Sequence, residues 1–142
     1  MPTLFTRIIE GEVPGTFVWR DDLCVAFLSI NPLRRGHTLV VPREEIDHWI
    51  DCPPDLANHL FAVSRQIGTA LQTAFTPTRV GFMIAGLEVP HLHFHLVPMD
   101  GVHDLDFANA ASSVEREELD GAAEMIRSEL RATGASGVAS DH

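Results

Sequence analysis

His91, His93 and His95 stand at alternate positions, separated by Leu92 and Phe94 and followed by Leu96-Val97-Pro98. No other residues of the chain are better placed to do chemistry. Histidine ionises near neutral pH, and its ring serves as nucleophile, acid, base or metal ligand. In a β-strand, successive side chains point to opposite faces. The spacing therefore predicts three imidazoles lining one surface, with Leu92, Phe94 and Leu96 packed into the core behind them. Threonine or charged residues would furnish an exposed strand face at lower cost, so three imidazoles point to function. A fourth histidine, His37, follows Gly36 and opens the run Thr38-Leu39-Val40-Val41-Pro42. His48, His59, His103 and His142 show no ligand-like spacing and read as surface residues.

Two kinds of chemistry suit such a face. A histidine attacks phosphorus through an unprotonated ring nitrogen, forming a covalent intermediate that divides one hard displacement into two easier ones. Neighbouring imidazoles then act as donors to the phosphate oxygens. Alternatively, three imidazoles can hold a zinc or iron ion. Against a shared ion, three alternate residues extend over ~13 Å of strand, at roughly 6.6 Å per pair of residues.

The rest of the chain supplies the elements that must hold this face. Residues 4–10 read as a short helix, closed by the segment from Gly11 to Gly15. Phe17 to Arg20 and Leu23 to Ile30 read as a hairpin around Asp21-Asp22. His37 to Val41 form a third strand, stopped by Pro42. Leu56, Leu60, Val63, Ile67 and Leu71 make one apolar stripe of a long helix, with Asp55 as its cap and Pro77 beyond its end. Val80 to Ala85 and His91 to Val97 are the last strands. Ser112-Ser113-Val114-Glu115 resembles a capping box that opens a helix with Leu119, Ala123, Ile126 and Leu130 on one face. The layout predicts an α+β domain over residues 1–132: a five-stranded, mostly antiparallel sheet, a long helix packed on it, and a C-terminal helix. Residues 133–142, small and polar, are expected to be disordered.

At 142 residues, with 45% hydrophobic and 21% charged residues, one globular domain is the simplest reading. The formal net charge of −10 opposes binding of polymeric nucleic acid, which requires Lys and Arg against phosphates. A single nucleotide needs only a local site. Cys24 and Cys52 do not make a disulfide framework. No stretch reads as a membrane span or a secretory leader, so cytoplasmic residence is expected.

The pattern His-Leu-His-Phe-His-Leu-Val resembles the signature of the histidine-triad nucleotide-binding family, in its Hint-like branch. Val25-Ala26-Phe27-Leu28-Ser29-Ile30-Asn31-Pro32 and Gly36-His37-Thr38-Leu39-Val40-Val41-Pro42 are similar to the family's second and third strands. The segment from Leu4 to Pro14 is similar to its opening helix, and the likeness covers roughly residues 3–98. The resemblance implies a HIT-like fold and a metal-independent phosphoramidase or nucleotidyl hydrolase acting on a small purine nucleotide, without a cofactor. It implies that His93 is the nucleophile, that His95 contacts the phosphate, and that His91 and His37 support them. It aligns Leu4, Phe5, Phe27 and Ile30 with the base site, Ser29 with the ribose position, and Gly86 with a glycine that approaches the phosphate. It also implies a homodimer with a sheet continuous across the interface.

The chain departs from the family at several points. Ser29 replaces an Asp, Ala85 an Asn, Leu87 a Gln and Glu88 a hydroxyl residue, in a shortened loop from Gly86 to Pro90. Glu88 suggests a cationic or amine-bearing leaving group. Thr3, Thr6 and Glu45 stand where many bacterial members place the cysteines and histidine of a structural zinc site, so no structural zinc is expected. Three further readings stay open: a low-turnover nucleotide-binding module, a dinucleoside polyphosphate hydrolase and a His-ligated metal enzyme.

Overall fold

The computed structural model describes residues 1–140, so the expected surface position of His142 lies outside the described residues. In chain order the elements are α1 (Leu4–Ile9), β1 (Phe17–Arg20), β2 (Cys24–Leu28), β3 (Thr38–Pro42), α2 (Pro54–Phe75), β4 (Arg79–Met83), β5 (Phe94–Met99) and α3 (Arg116–Ala132). Short 3₁₀ turns at Val102–Leu105 and Phe107–Asn109 join β5 to α3. The five strands form one sheet in the order β1-β2-β3-β5-β4, antiparallel at every pairing.

The sheet separates two apolar clusters, and the strand alternation decides which side chain joins which. Val18, Cys24, Ala26, Leu28, Val40, Phe94 and Leu96 face the helices, meeting Leu60, Val63, Ile67 and Leu71 of α2 and Leu119, Ala123, Ile126 and Leu130 of α3. Phe17, Val25, Phe27, Leu39 and Val41 face the other way, toward Phe5 and Ile8 of α1. With both faces covered, every residue of β2 and β3 is buried, which explains their unbroken apolar runs. Both predicted helix stripes face the core.

Several boundaries differ from the sequence reading, each for a local reason. β5 begins at Phe94 rather than His91. Its ladder with β3 ends at Val40 opposite Phe94, and Pro42, two residues on, has no N–H to extend it. The Leu92 amide bonds instead to the Ile46 carbonyl at 2.6 Å. β4 ends at Met83, opposite His95, one residue short of the start of β5 at Phe94. α2 starts at Pro54, with Pro53 as its cap and Asp55 inside the first turn, a position where Pro is pre-organised for a helix. Thr76 closes α2 in the left-handed conformation, with φ 46°. α3 starts only at Arg116 after an uncapped Glu115. The Ser112 and Ala111 carbonyls are instead tied to the Asn31 side chain.

The tail expected to be disordered is ordered through Ser140. The Arg20 amide bonds to the Gly137 carbonyl at 2.8 Å, and the Ala139 amide to the Val18 carbonyl at 3.1 Å. β1 is an edge strand with unpaired backbone groups, and the small tail residues fit against it. Gly137 lies flat on the Trp19 indole. Of the histidines read as surface residues, His48 and His103 are exposed, but His59 is half-buried. Its Nε2 lies 2.7 Å from Asp21 Oδ2, which also accepts from the Trp19 indole N–H. Asp21 Oδ1 accepts from the amides of Leu23 and Cys24. Burial pushes the Asp21 carboxyl upward, but these hydrogen bonds outweigh it and hold the pKa at about 2. The cluster pins the β1–β2 turn to α2.

Candidate active site

The triad is not an exposed surface: His91, His93 and His95 are 0%, 5% and 6% exposed, and His37 is 2% exposed. The alternation predicted from the sequence survives although the strand begins late. His93 and His95 open into a cleft of about 250 Å³ on the α1 side of the sheet. Its walls include Leu4 and Phe5 from α1, Phe27, Ser29, Ile30 and Asn31 from the end of β2, and Glu88 and Val89 from the loop before the triad.

Most of the expected residues therefore meet in one place: His37, His93, His95, Leu4, Phe5, Phe27, Ser29, Ile30 and Glu88 all line the cleft. Two do not. His91 is sealed behind it, with Nε2 on the Pro42 carbonyl at 2.7 Å and Nδ1 on Thr3 Oγ1 at 2.6 Å. Gly86 lines a second hollow with Trp49, Ile84 and Leu87, and its φ of 78° is what demands a glycine there. His93 borders both hollows.

Sequence reasoning missed Asn31, Phe107 and Ala110. The Phe107 ring packs edge-on against His95, 5.2 Å between centroids, from a turn beyond the core likeness. An isolated aromatic in a polar segment carries no periodic signal. Only the Asn31-Pro32 pair, adjoining Ser29 and Ile30, hinted at the neighbouring wall.

Backbone groups set the histidine tautomers. The Leu33 amide donates to His37 Nδ1 at 3.0 Å, so the neutral His37 ring carries its proton on Nε2. That N–H points at His95 Nδ1, 2.9 Å away, which places the His95 proton on Nε2. In the same way, His93 Nδ1–H donates to the His91 carbonyl at 2.7 Å and leaves Nε2 as a free lone pair. The cleft thus receives one acceptor, His93 Nε2, beside one donor, His95 Nε2–H. Their ring centroids are 4.8 Å apart.

Burial keeps these rings neutral. It lowers the His37 pKa to about 4 and the His95 pKa to about 3, and the adjacent histidines add to both shifts. Burial also lowers the His93 pKa, against the opposing pull of the His91 carbonyl and of Glu88.

The position of the family's structural zinc does not suit a metal here. Thr6 Oγ1 and the Thr3 amide donate to Glu45 Oε2 at 2.6 and 2.7 Å, and Thr3 Oγ1 contacts His91 Nδ1. Ligands about 2 Å from a tetrahedral zinc stand more than about 3 Å apart, and hydroxyls are poor substitutes for thiolates. Groups in direct hydrogen-bond contact leave no room for the ion.

A family model described as the HIT domain matches residues 10–102. An uncharacterised HIT-like protein of Methanocaldococcus jannaschii is 36% identical over 99 residues, covering 67% of this chain and 77% of the relative. Among solved structures, a zinc-bound histidine triad family protein from Mycobacterium smegmatis superposes with a TM-score of 0.78. The match covers 94% of this chain and 96% of that one, and at 23% identity it speaks for the fold. A HIT family hydrolase from Legionella pneumophila gives a TM-score of 0.58 at 27% identity, over 68% of this chain and 91% of that one. No helix of the described residues is long and apolar enough to cross a membrane. With the domain match spanning well over half its length and the triad gathered around one cleft, the chain belongs to the HIT family of histidine-triad proteins.

Proposed function

We propose that the protein is a nucleotide hydrolase that cleaves a nucleoside 5′-phosphoramidate, or a related AMP conjugate, through a nucleotidyl-His93 intermediate. The observation that carries this reading is the pairing of a free lone pair on His93 Nε2 with the His95 Nε2–H donor in one cleft. The name of one similar protein points the same way: the Legionella relative is called a HIT family hydrolase.

In the proposed reaction, His93 Nε2 attacks the α-phosphorus. A phosphorus–histidine bond forms, the phosphorus–nitrogen bond of the substrate breaks, and the amine departs with a proton taken from solvent, which the hydrolytic step returns. Water then attacks the same phosphorus, releasing nucleoside monophosphate and regenerating His93. The His95 N–H stabilises charge on the phosphate oxygens. The apolar wall of Leu4, Phe5, Phe27 and Ile30 receives the purine, and the Ser29 hydroxyl meets the ribose. Gly86, which borders His93 from the second hollow, is assigned to the approach of backbone to the phosphate. No metal or cofactor takes part. Cys24 and Cys52 are both free thiols, which suits the reducing cytoplasm.

The deciding experiment is turnover of adenosine 5′-phosphoramidate with chelator present. Wild type should release AMP, and His93→Ala should lose essentially all activity while keeping its fold. Tight AMP binding without turnover would replace this reading with that of a nucleotide-binding module.

A further inference from the structure

We propose that Thr3 is a positioning residue for His93, forming with Glu45 and Thr6 a metal-free clamp at the location where zinc-holding relatives bind their ion. The functional part of this inference rests on the hydrolase reading; its structural part does not.

The hydroxyl of Thr3 has one proton to give. It already accepts from the Thr6 amide at 3.1 Å, as the N-cap of α1. Two acceptors compete for that proton, His91 Nδ1 at 2.6 Å and the Thr6 hydroxyl oxygen at 3.3 Å, and the shorter contact is to His91. The opposite nitrogen of that ring faces the Pro42 carbonyl, which only accepts, so the His91 proton sits on Nε2. Nδ1 is then a bare acceptor, and Thr3 must donate to it. Burial lowers the His91 pKa and favours this neutral form.

Glu45 holds the donor in place. One carboxylate oxygen receives both the Thr3 amide and the Thr6 hydroxyl. These two bonds, the amide first, pull the Glu45 pKa below its ordinary value. The consequence reaches the cleft through a single residue, because the backbone carbonyl of His91 accepts the His93 Nδ1 proton. A His91 ring fixed on both sides fixes that carbonyl, and the carbonyl fixes the nucleophile. The same clamp anchors α1, whose Leu4 and Phe5 form one cleft wall and whose Phe5 ring lies 4.9 Å from His93.

The test is imidazole ¹⁵N NMR on the full chain, with kinetics beside it. Thr3→Val removes the donor, Thr3→Ser keeps it, and Thr3→Asp keeps the helix cap but cannot donate. The expected result is a displaced His91 Nδ1 resonance and a displaced His93 Nδ1–H resonance in Thr3→Val. Thr3→Asp should drive His91 toward imidazolium, and Thr3→Ser should match wild type. On the phosphoramidate, Thr3→Val should lower kcat about tenfold, and Thr3→Ser should keep the wild-type kcat. His91 and His93 resonances unmoved in a folded Thr3→Val would overturn the clamp, as would one equivalent of zinc bound through these residues. Should wild type fail to turn over, the hydrolase reading falls, and the NMR result still decides the clamp.

Discussion

At the scale of single residues, the histidines of the cleft are held neutral by burial, and neutrality carries a cost in acid. The ordinary histidine value is 6.5, whereas His37 stays unprotonated to about 4 and His95 to about 3. Between those limits the unfolded chain binds more protons than the folded one, so stability falls as pH is lowered. Above 6.5 both states hold these rings neutral, and the contribution is flat. Thermal melts should therefore show Tm dropping from pH 6.5 toward 4, with a weaker drop in His37→Asn. An unchanged slope in that variant would exclude His37 as a source. Glu88 acts differently, as an exposed carboxylate on the cleft rim. Glu88→Gln should lower kcat/KM several-fold for phosphoramidates with cationic leaving groups and leave neutral ones nearly unaffected. Equal losses on both would remove its proposed role in substrate choice.

At the scale of elements, the sequence was most legible where apolar periodicity ran long. The stripes of α2 and α3 and the apolar side of the triad, Leu92, Phe94 and Leu96, all face the core they predict. The triad remained readable because its alternation does not depend on a regular ladder at His91. Termini of elements were less legible, since they depend on partners remote in sequence. Asn31 captures the carbonyls of Ala111 and Ser112, so the expected capping box never forms. Likewise, nothing in the composition of residues 133–140 announces that β1 has an open edge for them. Phe107 reaches the cleft for a similarly nonlocal reason. The docked tail leads to a direct prediction. A Cβ on Gly137 would stand 2.3 Å from the Trp19 indole carbon Cε2, which the ring cannot easily avoid. Gly137→Ala should therefore destabilise the fold by about 1–3 kcal/mol in denaturant titrations. A change within error would mean that the tail contributes little to stability.

At the scale of the whole molecule, the two edges of the sheet are treated differently. The tail covers β1, whereas β4 pairs with no further strand among the described residues and carries the exposed Phe82, stacked edge-on with the exposed Phe61 of α2. An apolar open edge invites a second copy of the chain, in keeping with the homodimer that the family resemblance implies. Sedimentation should give the mass of a dimer for wild type and of a monomer for Phe82→Glu. A monomeric wild type would discard the pairing.

The seating of Gly137 on Trp19 also has an optical consequence. The chain has two tryptophans. Trp19 is 3% exposed beneath the tail, whereas Trp49 is 53% exposed. Acrylamide should quench Trp49 first and leave a blue-shifted emission belonging to Trp19 alone. Peeling of residues 137–139 from the sheet would then register as a red shift in that residual light, without any label and before the remainder of the protein melts.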